Sequence, residues 1–304
     1  MAGPFNKSSS GPLSEPLAKT IAAEISQITG RAFQVETQRS VSGGCINQAV
    51  QVSQGSRSFF VKLNRADQLA MFEAERDGLQ EMVDSRSIRV PQPLSCGVAV
   101  GSAYIVMEWL ELGGSRSNGA WQQMGQQLAA MHNSVSEQGF GWHRDNTIGS
   151  TPQKNGWVDN WVGFWRDRRL GPQFSFAHSK GAHFPQRDEL MNAIPRLLKG
   201  HTPTASLLHG DLWSGNAFIT QAGEPTILDP ATYYGDPETD LAMTELFGRL
   251  PDAFYQAYNA ANPVTTGYQR RKTLYNLYHI LNHFNLFGGS YASQANSMIR
   301  QILS

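Results

Sequence analysis

Apolar and polar positions alternate in one way in the first third of the chain and in another way beyond it. Phe59, Phe60 and Val61 lead into Lys62 and Leu63, an apolar run interrupted by one charge, and Tyr104, Ile105, Val106 and Met107 form a second such run. Short apolar runs of this kind predict buried strands. From about Ala66 to Val83 the spacing becomes helical. At about 100° per residue, Phe72, Glu75, Leu79, Met82 and Val83 share one face, whereas Glu73 lies roughly 130° from its centre. Further helices are predicted over Trp121 to His132, with Met124, Leu128 and Met131 in line, from Asp240 through Met243 after Pro237, and along Leu274, Leu277, Tyr278, Leu281 and Phe284. These stripes read as core. The pattern predicts an α+β chain: a loose tail over residues 1–12, rich in Ser, Gly and Pro, then a small antiparallel sheet lobe with one main helix over 13–110, and a larger, mostly helical lobe over 111–304.

Composition narrows the classes. The 304 residues carry 25 basic and 25 acidic side chains, for a net charge of zero, and are 40% hydrophobic and 16% charged. That is ample for a core and gives no basic tract for nucleic acid. No apolar run reaches the length of a membrane span, and the N-terminus has no signal-type apolar region, so no membrane partner is expected. Two cysteines, Cys45 and Cys96, without paired spacing suggest a reducing cytoplasm.

The chemistry is concentrated between Asp211 and Asp229. Ala217 to Thr220 and Thr226 to Leu228 are β-prone runs around the turn residues Gln221 to Pro225, so a hairpin is expected. Asn216 and Asp229 are equidistant from its turn and should face each other with Cβ atoms about 5 Å apart. A carboxylate and an amide so placed can share one Mg²⁺. Asp211, on the loop entering the hairpin, can approach whatever the metal holds. A surface hairpin that happens to carry Asp and Asn explains one polar residue better than three.

The string His209-Gly210-Asp211-Leu212-Trp213-Ser214-Gly215-Asn216 resembles the kinase catalytic loop, in which an Asp takes the proton of the attacking hydroxyl and an Asn five positions on holds a metal. It departs from protein kinases at Gly210, where they carry Arg, and at Asp229-Pro230-Ala231, where they carry Asp-Phe-Gly. Small-molecule kinases of the same fold differ in this way. The resemblance implies a lysine gripping the nucleotide phosphates and a glutamate fixing it. Lys62 fills the first role, unless it simply alternates out to solvent, and Glu75, an acid on an apolar stripe, fills the second. Ser42, Gly43 and Gly44 lie in a predicted hairpin where backbone N–H groups can converge on phosphate, although diglycine turns are common. Cys45 beside them is a candidate for oxidation, with an apolar filler as the bland alternative. Backbone groups of Glu108 and Leu110 stand where the kinase hinge meets adenine, and the lobes join near Glu111. His209 is expected to orient the loop, and Pro230 to disfavour the metal-loop flip of regulated protein kinases.

A narrower likeness adds to this. The string from His209 to Asn216, Asp229-Pro230-Ala231 followed by Tyr234-Gly235-Asp236, Phe140-Gly141-Trp142 with Asn146 and Pro152-Gln153, Asn160-Trp161 with Phe164, Leu281-Asn282-His283 and Phe287-Gly288-Gly289 resemble the fructosamine kinase (ketosamine-3-kinase) family. Its glycine-rich loop varies, and this one lacks a third glycine. The likeness implies a protein-kinase-like two-lobe fold, ATP and Mg²⁺ as cofactors, and phosphorylation of the 3-hydroxyl of a ketosamine, small or protein-bound, leading to deglycation. It assigns Asp211 as base, Asn216 and Asp229 as metal ligands, Lys62 and Glu75 as the phosphate grip, and Trp213 and His283 as sugar-pocket residues. Trp142, Trp157, Trp161, Phe164 and Trp165 can cover sugar faces, although Trp161 and Trp165, one turn apart, suit packing better. Two rivals stay open: a phosphotransferase of the aminoglycoside or choline kind, and a catalytically silent nucleotide-binding module. Assembly as monomer or homodimer stays open as well.

Overall fold

The computed structural model describes residues 12–41 and 47–304. The chain forms two compact units, one of residues up to Gln80 with Pro91–Leu110, the other of Glu81–Val90 with Glu111–Ser304.

The first unit holds α1 (Glu15–Thr29), β1 (Thr37–Val41), β2 (Gln48–Gln54), β3 (Arg57–Arg65), most of α2 (Leu69–Ser85), β4 (Pro93–Ala99) and β5 (Ser102–Glu108). The five strands form one antiparallel sheet in the order β1-β2-β3-β5-β4. Sequence periodicity anticipated α2 and left out α1, which this unit carries in addition. The signals for α1 are present: Pro16 in its first turn, Leu17, Ile21 and Ile25 one turn apart, and Gly30 closing it at φ 65°. These side chains pack with Val50, Val52, Val61, Leu63, Tyr104 and Val106 into a single cluster. Because side chains alternate along a strand, sending Val61 and Leu63 into this cluster turns Lys62 to the opposite face of the sheet.

The second unit comprises α3 (Asn118–His132), the hairpin β6 (Asn146–Ile148) and β7 (Thr151–Gln153), α4 (Trp161–Phe164), α5 (Gly171–Ser179), α6 (Arg187–Leu197), β8 (Ser206–Leu208), β9 (Ala217–Ile219), β10 (Pro225–Ile227), β11 (Tyr233–Gly235), α7 (Glu238–Thr244), α8 (Asp252–Ala261), α9 (Tyr268–Phe287) and α10 (Tyr291–Leu303). Its strands pair only two by two, β9 with β10 and β8 with β11. A wide π-type turn at Trp165–Leu170 links α4 to α5. It directs the fully buried Arg169 onto the ring of Tyr233 at 3.9 Å and that of Phe164 at 4.5 Å. Trp142, Trp161, Phe164 and Trp165 are all buried, and Trp161 packs on Trp165 at 5.4 Å. Four of the five aromatic residues that were candidates for covering sugar faces are therefore core. Only Trp157 keeps partial exposure.

Ile21 is fully buried in the α1 cluster. Replacing it with Ala should cost about 3 kcal/mol through lost burial and the cavity left behind. Equilibrium urea unfolding followed by circular dichroism measures this, and an unchanged midpoint would show that α1 adds nothing to the sheet's stability.

Candidate active site

The loop from His209 to Asn216 leaves β8, and the loop carrying Asp229 leads into β11; pairing of these two strands brings the loops side by side. They then cross-link. Ala231 N–H donates to the His209 carbonyl at 2.8 Å, and His209 Nε2–H donates to the Leu228 carbonyl at 2.8 Å. The other ring nitrogen, Nδ1, accepts from Asp211 N–H at 3.2 Å. With both nitrogens engaged and burial holding its pKa below the ordinary histidine range, His209 is a neutral brace between the loops. Gly210 adopts φ 80°, and a Cβ there would sit 2.1 Å from the Ala231 carbonyl oxygen. The place where protein kinases carry Arg thus admits no side chain in this molecule.

Sequence reasoning missed the group that organises this loop. Asp240, on α7 and 1% exposed, accepts from His209 N–H at 2.8 Å and Gly210 N–H at 2.9 Å. It also meets His132 Nε2 at 3.2 Å, and His132 Nδ1 lies 2.7 Å from the Tyr258 hydroxyl. Burial works to raise its pKa, but the bond from His132 and the N–H of Gly210 help to hold it below the ordinary carboxylate value. In the sequence Asp240 is one acid at the start of a helix, with no spacing to distinguish it.

The β9–β10 hairpin forms, with its register one residue from that expected. Ala217 pairs with Ile227, and Leu228 N–H donates to the Asn216 carbonyl at 3.0 Å, so Asn216 stands opposite Leu228 and not Asp229. The cause is the turn: Thr220 accepts from Gly223 N–H at 2.8 Å with Gly223 at φ 85°, which centres the turn on Ala222. Asp229 lies beyond the ladder, in a left-handed conformation at φ 57° that a non-glycine residue seldom adopts. The Asn216 amide donates through Nδ2 to the Asp211 carbonyl at 2.9 Å, which leaves Oδ1 as the atom it can offer a ligand.

Electrostatics tie these groups together. Burial, followed by the charges of Asp229 and Asp240, pushes the Asp211 carboxyl up to about 7, although a quarter of its side chain meets solvent. A pair of mutually repelling carboxylates with a nearby amide oxygen is a donor set suited to a divalent cation, which offsets the repulsion. Another cluster, His201, Asp236 and Glu238, lines a cleft of about 470 Å³ in the same unit. There Arg271 holds both Glu238 oxygens, and Tyr275 and His201 hold Asp236, so its charges are committed to one another.

Trp213 is 37% exposed, with its six-membered ring over Gly215, where a Cβ would come within 2.3 Å of the indole. Phe247, not singled out from the sequence, links it to the second expected pocket residue, lying 6.4 Å from Trp213 and 4.3 Å from His283. In the first unit, Lys62 Nζ meets Glu75 Oε1 at 2.5 Å with both side chains about nine-tenths buried. Glu108 N–H donates to the Gln92 carbonyl at 2.9 Å. Leu110 follows β5 and is half-buried. Ser42, Gly43, Gly44 and Cys45 lie outside the described residues.

Two outcomes test this geometry. Gly210→Ala forces a Cβ onto the Ala231 carbonyl and should lower kcat by about 100-fold, the scale of a 1 Å displacement of a reacting group; wild-type turnover would refute the close approach. The second concerns pH. The folded protein holds the Asp211 proton more tightly than the unfolded chain, so this group's contribution to stability is complete below the ordinary carboxylate range and is lost as pH rises through 7. Metal-free Asp211→Asn should therefore melt about 2–4 °C above wild type at pH 8, equivalent to ~1 kcal/mol, and show no advantage at pH 4. Paired melting curves at both pH values check this.

The model of a family described as fructosamine kinase matches residues 17–304. A probable ketoamine kinase of Synechocystis sp. is 53% identical over 285 residues, covering 94% of this chain and 96% of the relative. The chloroplastic protein-ribulosamine 3-kinase of Arabidopsis thaliana is 43% identical over 294 residues, covering 95% and 88%. Among solved structures, a putative fructosamine-3-kinase from Haemophilus somnus superposes with a TM-score of 0.87 at 29% identity, covering 93% of this chain and 97% of that one.

Proposed function

The chain belongs to the fructosamine kinase family, and from that premise we propose that it is an ATP-dependent kinase that phosphorylates the 3-hydroxyl of ketosamines, fructosamine or ribulosamine adducts. The observation that carries this reading is the partly buried Asp211 carboxylate, pushed up to about 7 and held beside Asp229 and Asn216 by loops that Asp240 and His209 lock together. A base poised near neutrality can take a hydroxyl proton as the oxygen attacks phosphorus. Asn216 and Asp229 would hold Mg²⁺, which supplies neutralisation of the phosphate charge. Lys62, fixed by Glu75, would grip the phosphates together with backbone groups of Ser42, Gly43 and Gly44, while backbone groups of Glu108 and Leu110 would meet the adenine edge. Trp213 and His283 line the sugar side, joined by Phe247.

The product explains the use. A phosphate on C3 lies β to the enolisable C1 next to the C2 carbonyl, so it departs by elimination, and the weakened adduct then releases its amine. The relatives are named ketoamine kinase and protein-ribulosamine 3-kinase, which supports ketosamines, free or on proteins, over choline or an aminoglycoside. A silent module is disfavoured because every chemical position is filled. The division into lobes at 13–110 and 111–304 and a cytoplasmic setting belong to the same proposal. Among the described residues no helix is long and apolar enough to cross a membrane.

Phosphate transfer from ATP to fructosyl-lysine, ribulosyl-lysine, choline and an aminoglycoside, with wild type and Asp211→Ala side by side, tests the proposal. The two ketosamines should be the substrates, and Asp211→Ala should lose about 10³-fold in kcat, within the range of general-base removal. Equal rates for the two proteins would dismiss Asp211 as the base. Chelation by EDTA should stop turnover, and Mg²⁺ should restore it.

A further inference from the structure

Helix α9 brings another imidazole to the reacting carboxylate. His279 is 4% exposed, its Nδ1 stands 3.9 Å from Asp211 Oδ1, and that nitrogen has no hydrogen-bond partner among the described residues. At this separation the two atoms do not bond each other. A buried polar atom without a partner destabilises the fold, so one that faces the carboxylate of a phosphotransfer site marks where a ligand completes the bonding.

The ring is held in place. Its neighbour Tyr278 donates to Gln153 Oε1 at 2.6 Å, and Gln153 Nε2 donates to the Ala231 carbonyl at 3.1 Å, which ties α9 to the loop that follows Asp229. One turn on, His283 Nδ1–H donates to the His279 carbonyl at 2.8 Å. Burial, with His283 and Arg169 adding to it against the opposing charge of Asp240, pushes the His279 pKa down to about 3. The imidazole is therefore neutral, with one donor and one acceptor nitrogen.

Resting on the ketosamine reading above, we propose that His279 Nδ1 hydrogen-bonds the hydroxyl vicinal to the one Asp211 deprotonates, the C4 hydroxyl of a ketosamine phosphorylated at C3, and so makes the site specific for a diol. Oxygens on adjacent carbons in the gauche arrangement touch each other, and each reaches its own partner at about 2.8 Å. Two partner atoms a few ångströms apart and facing one space meet this requirement, as Asp211 Oδ1 and His279 Nδ1 do. A hydroxyl both donates and accepts, so it suits either imidazole tautomer. The C2 oxygen on the other side is a carbonyl in the open-chain ketosamine and would serve only an N–H. Fructosamines and ribulosamines both carry the C4 hydroxyl, so one imidazole reads both.

The test is a cycle of kcat/KM measurements on wild type and His279→Leu with fructosyl-lysine and its 4-deoxy analogue. Removing either partner alone should cost about 10-fold, mostly through KM for the ketosamine, and removing both should cost no more, since coupled partners are non-additive. KM for ATP should not move, and His279→Asn, which returns a polar atom near the Nδ1 position, should recover most of the loss. Losses that multiply to about 100-fold would overturn the proposal, because independent effects add in free energy. So would a shift in KM for ATP with no recovery in His279→Asn, the mark of a packing role. Failure of wild type to phosphorylate fructosyl-lysine itself would instead remove the reading on which the proposal rests.

Discussion

One buried carboxylate holds the arrangement together. Asp240 accepts the backbone N–H groups of His209 and Gly210 and is itself supported by His132 and, through it, Tyr258. The bonds are charge-assisted and shielded from water, so they are strong and directional. They fix the backbone just before Asp211, while His209 carries the restraint across to Leu228, one residue before Asp229. Asp211 and the loop of the proposed metal ligand are therefore tied to one brace. Burial, with the negative charge of Asp229 and Asp240 added to it, raises the pKa of Asp211. Perturbed carboxylates of this kind cluster at functional sites.

Much of this was legible in the sequence, for identifiable reasons. Lys62 and Glu75 could be paired before the fold was known because a lone charge in a strand and a lone acid on an apolar helical face each require a partner, and spacing left few choices. Asp211, Asn216 and Asp229 lie on one hairpin and its entry loop, so local geometry alone gathers them. The register was misjudged by one residue because a turn that uses a left-handed Gly223 is not centred where symmetry about the flanking runs puts it. What stayed hidden was what depends on distant contacts. Asp240 and His279 sit on helices whose patterns read as core, and only the packing of α7 and α9 shows that they face the loop. The aromatic run from Trp142 to Trp165 could not be sorted into core and surface without knowing that the turn after α4 widens and draws Arg169 inward.

The resemblance and the physical reading supply different things. Family membership names the reaction class. The geometry explains why glycine stands at two places in the loop: at Gly210, where protein kinases carry Arg, the Ala231 carbonyl occupies the space of a side chain, and at Gly215 the Trp213 indole does. Asn146 and Gln153, quoted for their likeness alone, bind the carbonyls of Thr232 and Ala231 and so buttress the segment after Asp229.

The backbone of Asp229 has a consequence for pharmacology. A residue already in the left-handed region, followed by the rigid ring of Pro230 and a carbonyl clasped by Gln153, is restrained on both sides. A compound that gains its selectivity by trapping an outward-swung metal loop would have to break the Gln153 clasp to do so here.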